Sequence, residues 1–287
     1  GKKENVDVIF ECPLNYIGSK AKVIPDILKF QPQNYDTFID AFGGGFNVGI
    51  NVHTDKVIYN DLNYLVANLI QSFKVYDTYD YILYIKRTIK KFGLEKSNKP
   101  AYLEARSYYN SLPTEKRDPR LLFTIILYGF QQQIRFNSQH NFNNSVGMRW
   151  FNDKILEKMI SFSRQIKEGN YDFYCQSYKE LRNQMTETSF VYFDPPYNLT
   201  TGAYNDGKRG FDGWNKELES ELFTFADELN QSGISFMLSY VAEHKGEINQ
   251  ELLDWINEKG YRLIQLDDII GISGSRRKEV LVVNYGI

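Results

Sequence analysis

The amino-acid sequence predicts an α/β fold with a mostly parallel sheet. Three observations carry that expectation. Short β-type runs alternate with longer helical stretches, a glycine-rich turn follows the first run, and the chain is punctuated without repeats or low-complexity tracts. Residues 37–41 read as a strand running into glycines, and residues 57–59 as a second short strand that ends at Asn60-Asp61. Residues 62–73 place Leu62, Leu65, Val66, Leu69, Ile70 and Phe73 at helical spacing. Residues 171–175 and 190–193 are further strands. Residues 217–229 read as a helix, 234–238 as a strand, and 247–258 as a helix closed by Gly260. Residues 261–266 and 279–284 complete the sheet.

Between about residues 77 and 151 the alternation stops. This stretch is rich in tyrosine, carries Pro100, Pro113 and Pro119, and holds an apolar run at 121–130 of buried-helix size. It then passes through Gln131-Gln132-Gln133 into an asparagine-rich segment at 137–144. The chain thus divides into an α/β domain, residues 1–76 with 152–287, and an inserted, mainly helical module, residues 77–151, placed where a substrate-recognition element would sit.

Composition narrows the classes. A hydrophobic fraction of 42% in 287 residues argues for a packed globular chain and against disorder. No apolar run is long enough to span a membrane, and the first residues lack the apolar core of a signal peptide, so a cytoplasmic setting without membrane attachment is expected. Two cysteines and three scattered histidines give no disulfide framework, and no metal site is expected. The net charge of −2 means that any basic nucleic-acid footprint must be local. The basic stretches are Lys116-Arg117 with Arg120, residues 135–149, Lys208-Arg209 and Arg276-Arg277-Lys278.

Asp40-Ala41-Phe42-Gly43-Gly44-Gly45 lies at the carboxyl end of the first strand, where open α/β sheets bind ligands. Glycines there let a ligand approach the backbone, which makes Asp40, Phe42, Gly43 and Gly45 candidate cofactor contacts. Asp61 follows about 20 residues on, at the end of the next strand, from which a carboxylate accepts hydrogen bonds from ribose hydroxyls. A dinucleotide fingerprint would need a third glycine where Val48 stands, which disfavours a pyrophosphate. S-adenosyl-L-methionine is a nucleoside without phosphate, and a shorter glycine turn serves it.

Phe190-Val191-Tyr192-Phe193 runs directly into Asp194-Pro195-Pro196-Tyr197. Consecutive prolines remove two backbone donors and fix φ, which leaves carbonyl acceptors beside the Asp194 carboxylate and the Tyr197 ring. An exocyclic amine on a base is a poor nucleophile, because its lone pair is delocalised into the ring. Two acceptors holding its two hydrogens localise that pair on nitrogen. The carboxylate offsets the positive charge that builds there, and an aromatic face holds the base. The turn therefore suits methyl transfer to an amine by positioning alone.

Taken in order, these residues resemble the Dam-type family (D12 class, alpha group) of adenine-N6 DNA methyltransferases. The resemblance covers nearly the whole chain: Leu14-Asn15-Tyr16-Ile17-Gly18-Ser19-Lys20, then Phe38 through Gly45, then Asn60-Asp61-Leu62-Asn63, the insertion, and Asp194-Pro195-Pro196-Tyr197. It implies a Rossmann-like S-adenosylmethionine-dependent methyltransferase fold with a seven-stranded sheet. It also implies site-specific methylation of a flipped-out adenine in double-stranded DNA, in a restriction-modification or related system with a cognate restriction endonuclease as partner. Tyr16 and Lys20 would contact the cofactor, Asp61 would hold its ribose, and Asp194 would orient the amine beside it. Ser177 and Tyr178, in a segment that borders the cofactor base, would line its pocket, although the family often has an acid where Gln176 stands. Residues 134–138 and 141–143 resemble the recognition hairpin, with Phe136 and Asn137 as the wedge entering DNA and Arg135 and Arg149 reaching phosphate or guanine. Departures at Gln139-His140 and Asn144-Ser145 leave the target sequence open. Residues 198–214 read as a loop that orders over DNA.

Other classes stay in view. The same turn would serve an RNA methyltransferase acting on adenine N6 or guanine N2; the segment from Tyr16 to Lys20 and the insertion favour DNA. A protein-glutamine methyltransferase would carry Asn in place of Asp194. A non-catalytic DNA-binding protein would lack any use for the proline turn, and Val48 argues against a nicotinamide-dependent oxidoreductase.

Overall fold

The computed structural model describes residues 10–14, 23–195, 214–266, 269–270 and 276–287. Tyr16, Lys20, Pro196, Tyr197, Lys208, Arg209 and all of the expected loop at 198–214 except the buried Trp214 lie outside the described residues. The elements run α1 (Ile24–Lys29), β1 (Thr37–Asp40), β2 (Lys56–Asn60), α2 (Tyr64–Val75), α3 (Thr78–Phe92), α4 (Lys99–Ser111), α5 (Pro119–Tyr128), α6 (Asp153–Glu168), β3 (Tyr171–Tyr174), β4 (Ser189–Phe193), α7 (Lys216–Gln231), β5 (Ser235–His244), β6 (Glu247–Ile248), α8 (Gln250–Lys259), β7 (Arg262–Gln265), β8 (Ile269–Ile270) and β9 (Arg276–Val283). No helix among the described residues is long and apolar enough to cross a membrane.

The strands form one sheet in the order β3-β2-β1-β4-β5-β9-β7, with β6 added to β5 and β8 to β9. The pairings among β3, β2, β1, β4 and β5 are parallel, while β9 runs antiparallel between β5 and β7. The expected seven strands form the main path, and two short ones extend it. Strand order reverses between β1 and β4, and open α/β sheets bind ligands in the crevice at the carboxyl ends of such strands.

Both sheet faces are apolar, as a helix-covered parallel sheet requires. Phe38, Phe190, Tyr192 and Met237 face a core shared with α1, α2, α5 and α6. Ile39, Val191, Phe193, Phe236 and Leu238 face a second core closed by α7 and α8. Asparagine side chains start several helices: Asn63, Asn152, Asn215 and Asn249 each accept a backbone N–H in the first turn of α2, α6, α7 and α8.

Two elements differ from expectation. β5 extends to His244 because β9 pairs along it past a bulge between Val241 and Glu243. The helix expected from residue 247 starts at Gln250 instead. Lys245 and Gly246, at φ 51° and 81°, make the tight turn of a hairpin in which Glu247 and Ile248 pair back onto β5.

In the inserted stretch, α5 is buried from Leu121 to Tyr128 and packs into the same core as α2 and α6. Residues 129–147 then fold back as an irregular hairpin with bridges Gly129 to Val146 and Phe136 to Phe142. Charged and polar groups fasten it from beneath. Arg117 donates to the carbonyls of Asn110, Leu112 and His140 and to Asn141 Oδ1. Asn110 makes paired bonds with the Phe142 backbone, and Tyr102 and Arg106 both donate to the Asn144 carbonyl.

This packing corrects the expected wedge. Phe136 is 1% exposed, its ring edge-on to Phe142 at 5.8 Å, and it belongs to the core. Asn137 caps a turn, its Oδ1 accepting from the backbone N–H of Gln139 and Asn141 at 2.9 and 3.0 Å. The hairpin buries one face of its alternating sequence, and Phe136 falls on that face. Phe136→Ala should therefore lower the unfolding free energy by about 3–5 kcal/mol. Urea denaturation checks this, and a loss below about 0.5 kcal/mol would mark the ring as a surface group.

Candidate active site

The site grows from the carboxyl ends of β1, β2 and β4. Phe38, Asp40, Tyr192 and Asp194 alternate along paired strands, with Asp40 in register with Tyr192, so Asp40 and Asp194 lie toward one face. The glycine turn follows β1. The Gly43 N–H donates to the Asn60 carbonyl at 2.7 Å, and the Tyr59 hydroxyl donates to the Gly44 carbonyl at 2.7 Å. A Cβ on Gly43 would lie 2.3 Å from the Tyr59 ring, so only glycine fits there. Gly44 and Phe46 adopt φ of 49° and 63°, and Phe46 is held in that strained state by rings of Tyr59, Tyr171 and Phe173. Gly45 is buried beneath this turn. After it comes a single 3₁₀ turn, Gly49–Asn51. Val48 precedes that turn in place of the third glycine.

Asp61 ends the next loop with both carboxylate oxygens engaged. Oδ2 accepts the Gly44 N–H at 3.0 Å and Oδ1 the Asn63 N–H at 2.9 Å. The carboxylate thereby ties the glycine turn to the start of α2. Asp40 is 2% exposed. Burial, with the charges of Asp194 and then Asp61 alongside, pushes its carboxyl well above the ordinary carboxylate range, against the opposing pull of the Gly49 backbone N–H. Asp194 and Asp61 are thus both close enough to Asp40 to disfavour its charged form.

Phe42 extends the site on its other side. Its ring lies 5.3 Å from Tyr178, 6.5 Å from Phe193 and 6.0 Å from Trp214. Tyr178 opens a short 3₁₀ helix, Tyr178–Gln184, capped by Ser177, whose Oγ accepts from Lys179 N. Pro195 is buried directly after Asp194. The chain before Tyr16 is fixed against the glycine turn: Asn51 makes paired bonds with the Phe10 backbone, and Asn47 Oδ1 accepts from Cys12 N. Arg135 is half-buried within the hairpin, and Arg149, just after it, is exposed.

Asn60 is the residue that sequence reasoning passed over. It is fully enclosed at the end of β2, and its Nδ2 donates to the Ala41 and Gln176 carbonyls at 3.1 and 2.7 Å. Its Oδ1 accepts from Gln176 N at 3.1 Å. One carboxamide therefore braces the loops after β1 and β3. The available signal was a polar amide where the alternation of β2 calls for an interior residue.

Comparison with known proteins follows this geometry. Residues 16–269 match the family model described as D12 class N6 adenine-specific DNA methyltransferase. The type II methyltransferase M.FokI of Planomicrobium okeanokoites is 37% identical over 291 residues, covering 99% of this chain and 44% of that protein. The modification methylase StsI of Streptococcus sanguinis is 38% identical over 283 residues, covering 96% and 43%. A DNA adenine methylase of Escherichia coli (strain K12) is 22% identical over 267 residues, covering 93% and 91%. The chain spans less than half the length of M.FokI and StsI.

Because the Asp40 pKa is higher folded than unfolded, its contribution to stability is full below the ordinary carboxylate value of about 3.9. That contribution is lost as pH rises through the folded-state value. Asp40→Asn should remove this loss, so the melting temperature of the variant relative to the parent should climb with pH. Thermal unfolding from about pH 4 to about pH 8 tests it; a pH-independent difference would refute the assignment.

Proposed function

Because the chain belongs to the D12 class of N6 adenine-specific DNA methyltransferases, we propose that it methylates the exocyclic amine of an adenine turned out of double-stranded DNA, using S-adenosylmethionine, within a restriction-modification system. The observation that carries this reading is Asp194, standing at the strand-order reversal, in electrostatic contact with Asp40 and one strand away from the glycine turn.

The donor set fits the cofactor. Asp61 and Asp194, beside the buried Asp40, make an acidic crevice, which would repel a pyrophosphate and attract a sulfonium carrying an ammonium group. The glycine turn leads into a 3₁₀ turn, so it lacks the α-helix N-terminus that dinucleotide sites use for phosphate. When bound, the cofactor would supply an electrophilic methyl on positively charged sulfur. Asp61 would accept from ribose hydroxyls, and Phe42, with Tyr178 and Ser177 behind it, would border the cofactor base. Gly43 lets the turn close tightly against Tyr59, Gly43 and Gly45 would offer backbone to the cofactor, and Tyr16 and Lys20 would reach it from the segment that Asn47 and Asn51 fix nearby.

For the reaction, the Asp194 carboxylate and a carbonyl of the Asp194-Pro195 turn would each take one hydrogen of the amine. Proton removal is not needed before attack: the two acceptors localise the lone pair, and Asp194 offsets the charge that develops on nitrogen. Pro196 and Tyr197 would rigidify the turn and stack the base. On the DNA side, Arg149 and Arg135 would meet phosphate or guanine. The exposed Phe130, Met148 and Trp150 flank Arg149 and take over the apolar contact first expected of Phe136. Lys96, 4.8 Å over the Trp150 ring, adds positive charge to that face. A cognate endonuclease is the partner such a modification activity would serve.

Asp194→Ala should slow methyl transfer to duplex DNA by at least about 10²-fold, while duplex affinity stays within about twofold of the parent. Labelled cofactor, assayed in parallel on duplex DNA and structured RNA, measures the first, and fluorescence anisotropy the second. Sequencing DNA from cells otherwise lacking adenine methylation would report the modified site. Transfer confined to RNA, or no N6-methyladenine with folded protein present, would overturn the proposal.

A further inference from the structure

Glu219, Tyr240 and Trp214 form a buried polar chain that the reaction does not use. The Trp214 Nε1–H donates to the Tyr240 hydroxyl at 2.9 Å, and that hydroxyl donates to Glu219 Oε2 at 2.5 Å. Asn249, the cap of α8, donates to the same oxygen at 3.3 Å. Trp214 is 7% exposed and Glu219 1%. Placing a carboxylate inside a core is costly unless hydrogen bonds compensate it, and burial raises the Glu219 pKa above its ordinary range. A phenylalanine or leucine at 214 would fill the same space with no polar chain behind it. What the chain adds is direction: it fixes the plane of the indole. That plane stands at 87° to the Phe42 ring, 6.0 Å away, at the edge of the cofactor crevice.

Trp214 leads through Asn215 into α7. It therefore joins the start of α7 to the loop that holds the glycines. We infer that Trp214 is a positioning residue of the cofactor pocket, which holds Phe42, and with it the glycine turn, in a binding-competent place. The inference rests on the cofactor reading above. The other two tryptophans are placed differently: Trp150 is exposed just after the hairpin, and Trp255, on α8, stacks on Phe223 of α7 at 4.2 Å.

Calorimetric binding of S-adenosylhomocysteine, with tryptophan emission followed in parallel, tests it. Trp214→Leu should weaken binding about 3- to 10-fold, the worth of a lost aromatic contact. Trp214→Phe should recover part of that loss. Tyr240→Phe, which keeps the indole and removes its anchor, should fall between Trp214→Leu and the parent. The emission change on binding should vanish in Trp214→Phe and persist in Trp150→Phe. Should Trp214→Leu fail to fold, Trp214→Phe and Tyr240→Phe carry the test. Parent-like affinity in those two, with the emission change intact in Trp214→Phe, would overturn the inference while leaving the cofactor reading standing. No binding by the parent chain would overturn both.

Discussion

Like charges forced together at a strand-order reversal are the constraint around which this molecule is arranged. Parallel pairing of β1 with β4 sets Asp40 and Asp194 toward one face, and the β2 loop delivers Asp61 to the same crevice. Burial and the charges of Asp194 and Asp61 raise the pKa of Asp40, and that costs folding free energy once Asp40 ionises. The surrounding structure leaves the three acids no room to separate. Tyr59 packs against Gly43, Phe46 is locked in a left-handed conformation by three rings, and Asn60 bolts two loops together. The rigidity is the counterpart of the repulsion. A softer edge would relax by moving the acids apart.

The same logic explains why one amide matters as much as the acids. Asn60 makes no contact that a catalytic search would flag. Yet its three hydrogen bonds set the distance between the loop of Phe42 and the loop of Tyr178. Removing one partner of such a buried set leaves carbonyls and an N–H without water, which is costlier than never having built the bonds.

Much of this was legible in the sequence, and the failures are instructive. β1, β2, β4 and the glycine turn were visible because their apolar runs end abruptly at Asp, Asn or Gly. The acid cluster was visible because Asp40, Asp61 and Asp194 each sit at such an end. The length of β5 was not, since its last residues owe their extended state to β9, far along the chain. Nor was the helix start at Gln250, because Lys245-Gly246 forms its turn with only one glycine as a marker. Phe136 shows a different limit. Periodicity says that a ring alternates with polar neighbours, not which face the hairpin will bury; Asn110 and Arg117, distant in sequence, decided that.

The position of β9 has a consequence for the order in which the molecule is assembled. Among the described residues β7 pairs only with β9, and β9 is made after it. While the chain is being synthesised, β7 has no neighbour in the sheet, and the outer edge of β5 is open beyond its short hairpin with β6. The parallel half that carries the acids can associate first, from β1, β2, β3 and β4. Closure then waits for the last strand to enter between two earlier ones, a non-local step with a large loop-closure cost. Until it does, an exposed strand edge is a site for mispairing with other chains. Birth of the ligand crevice and completion of the sheet are separate events in the life of this polypeptide.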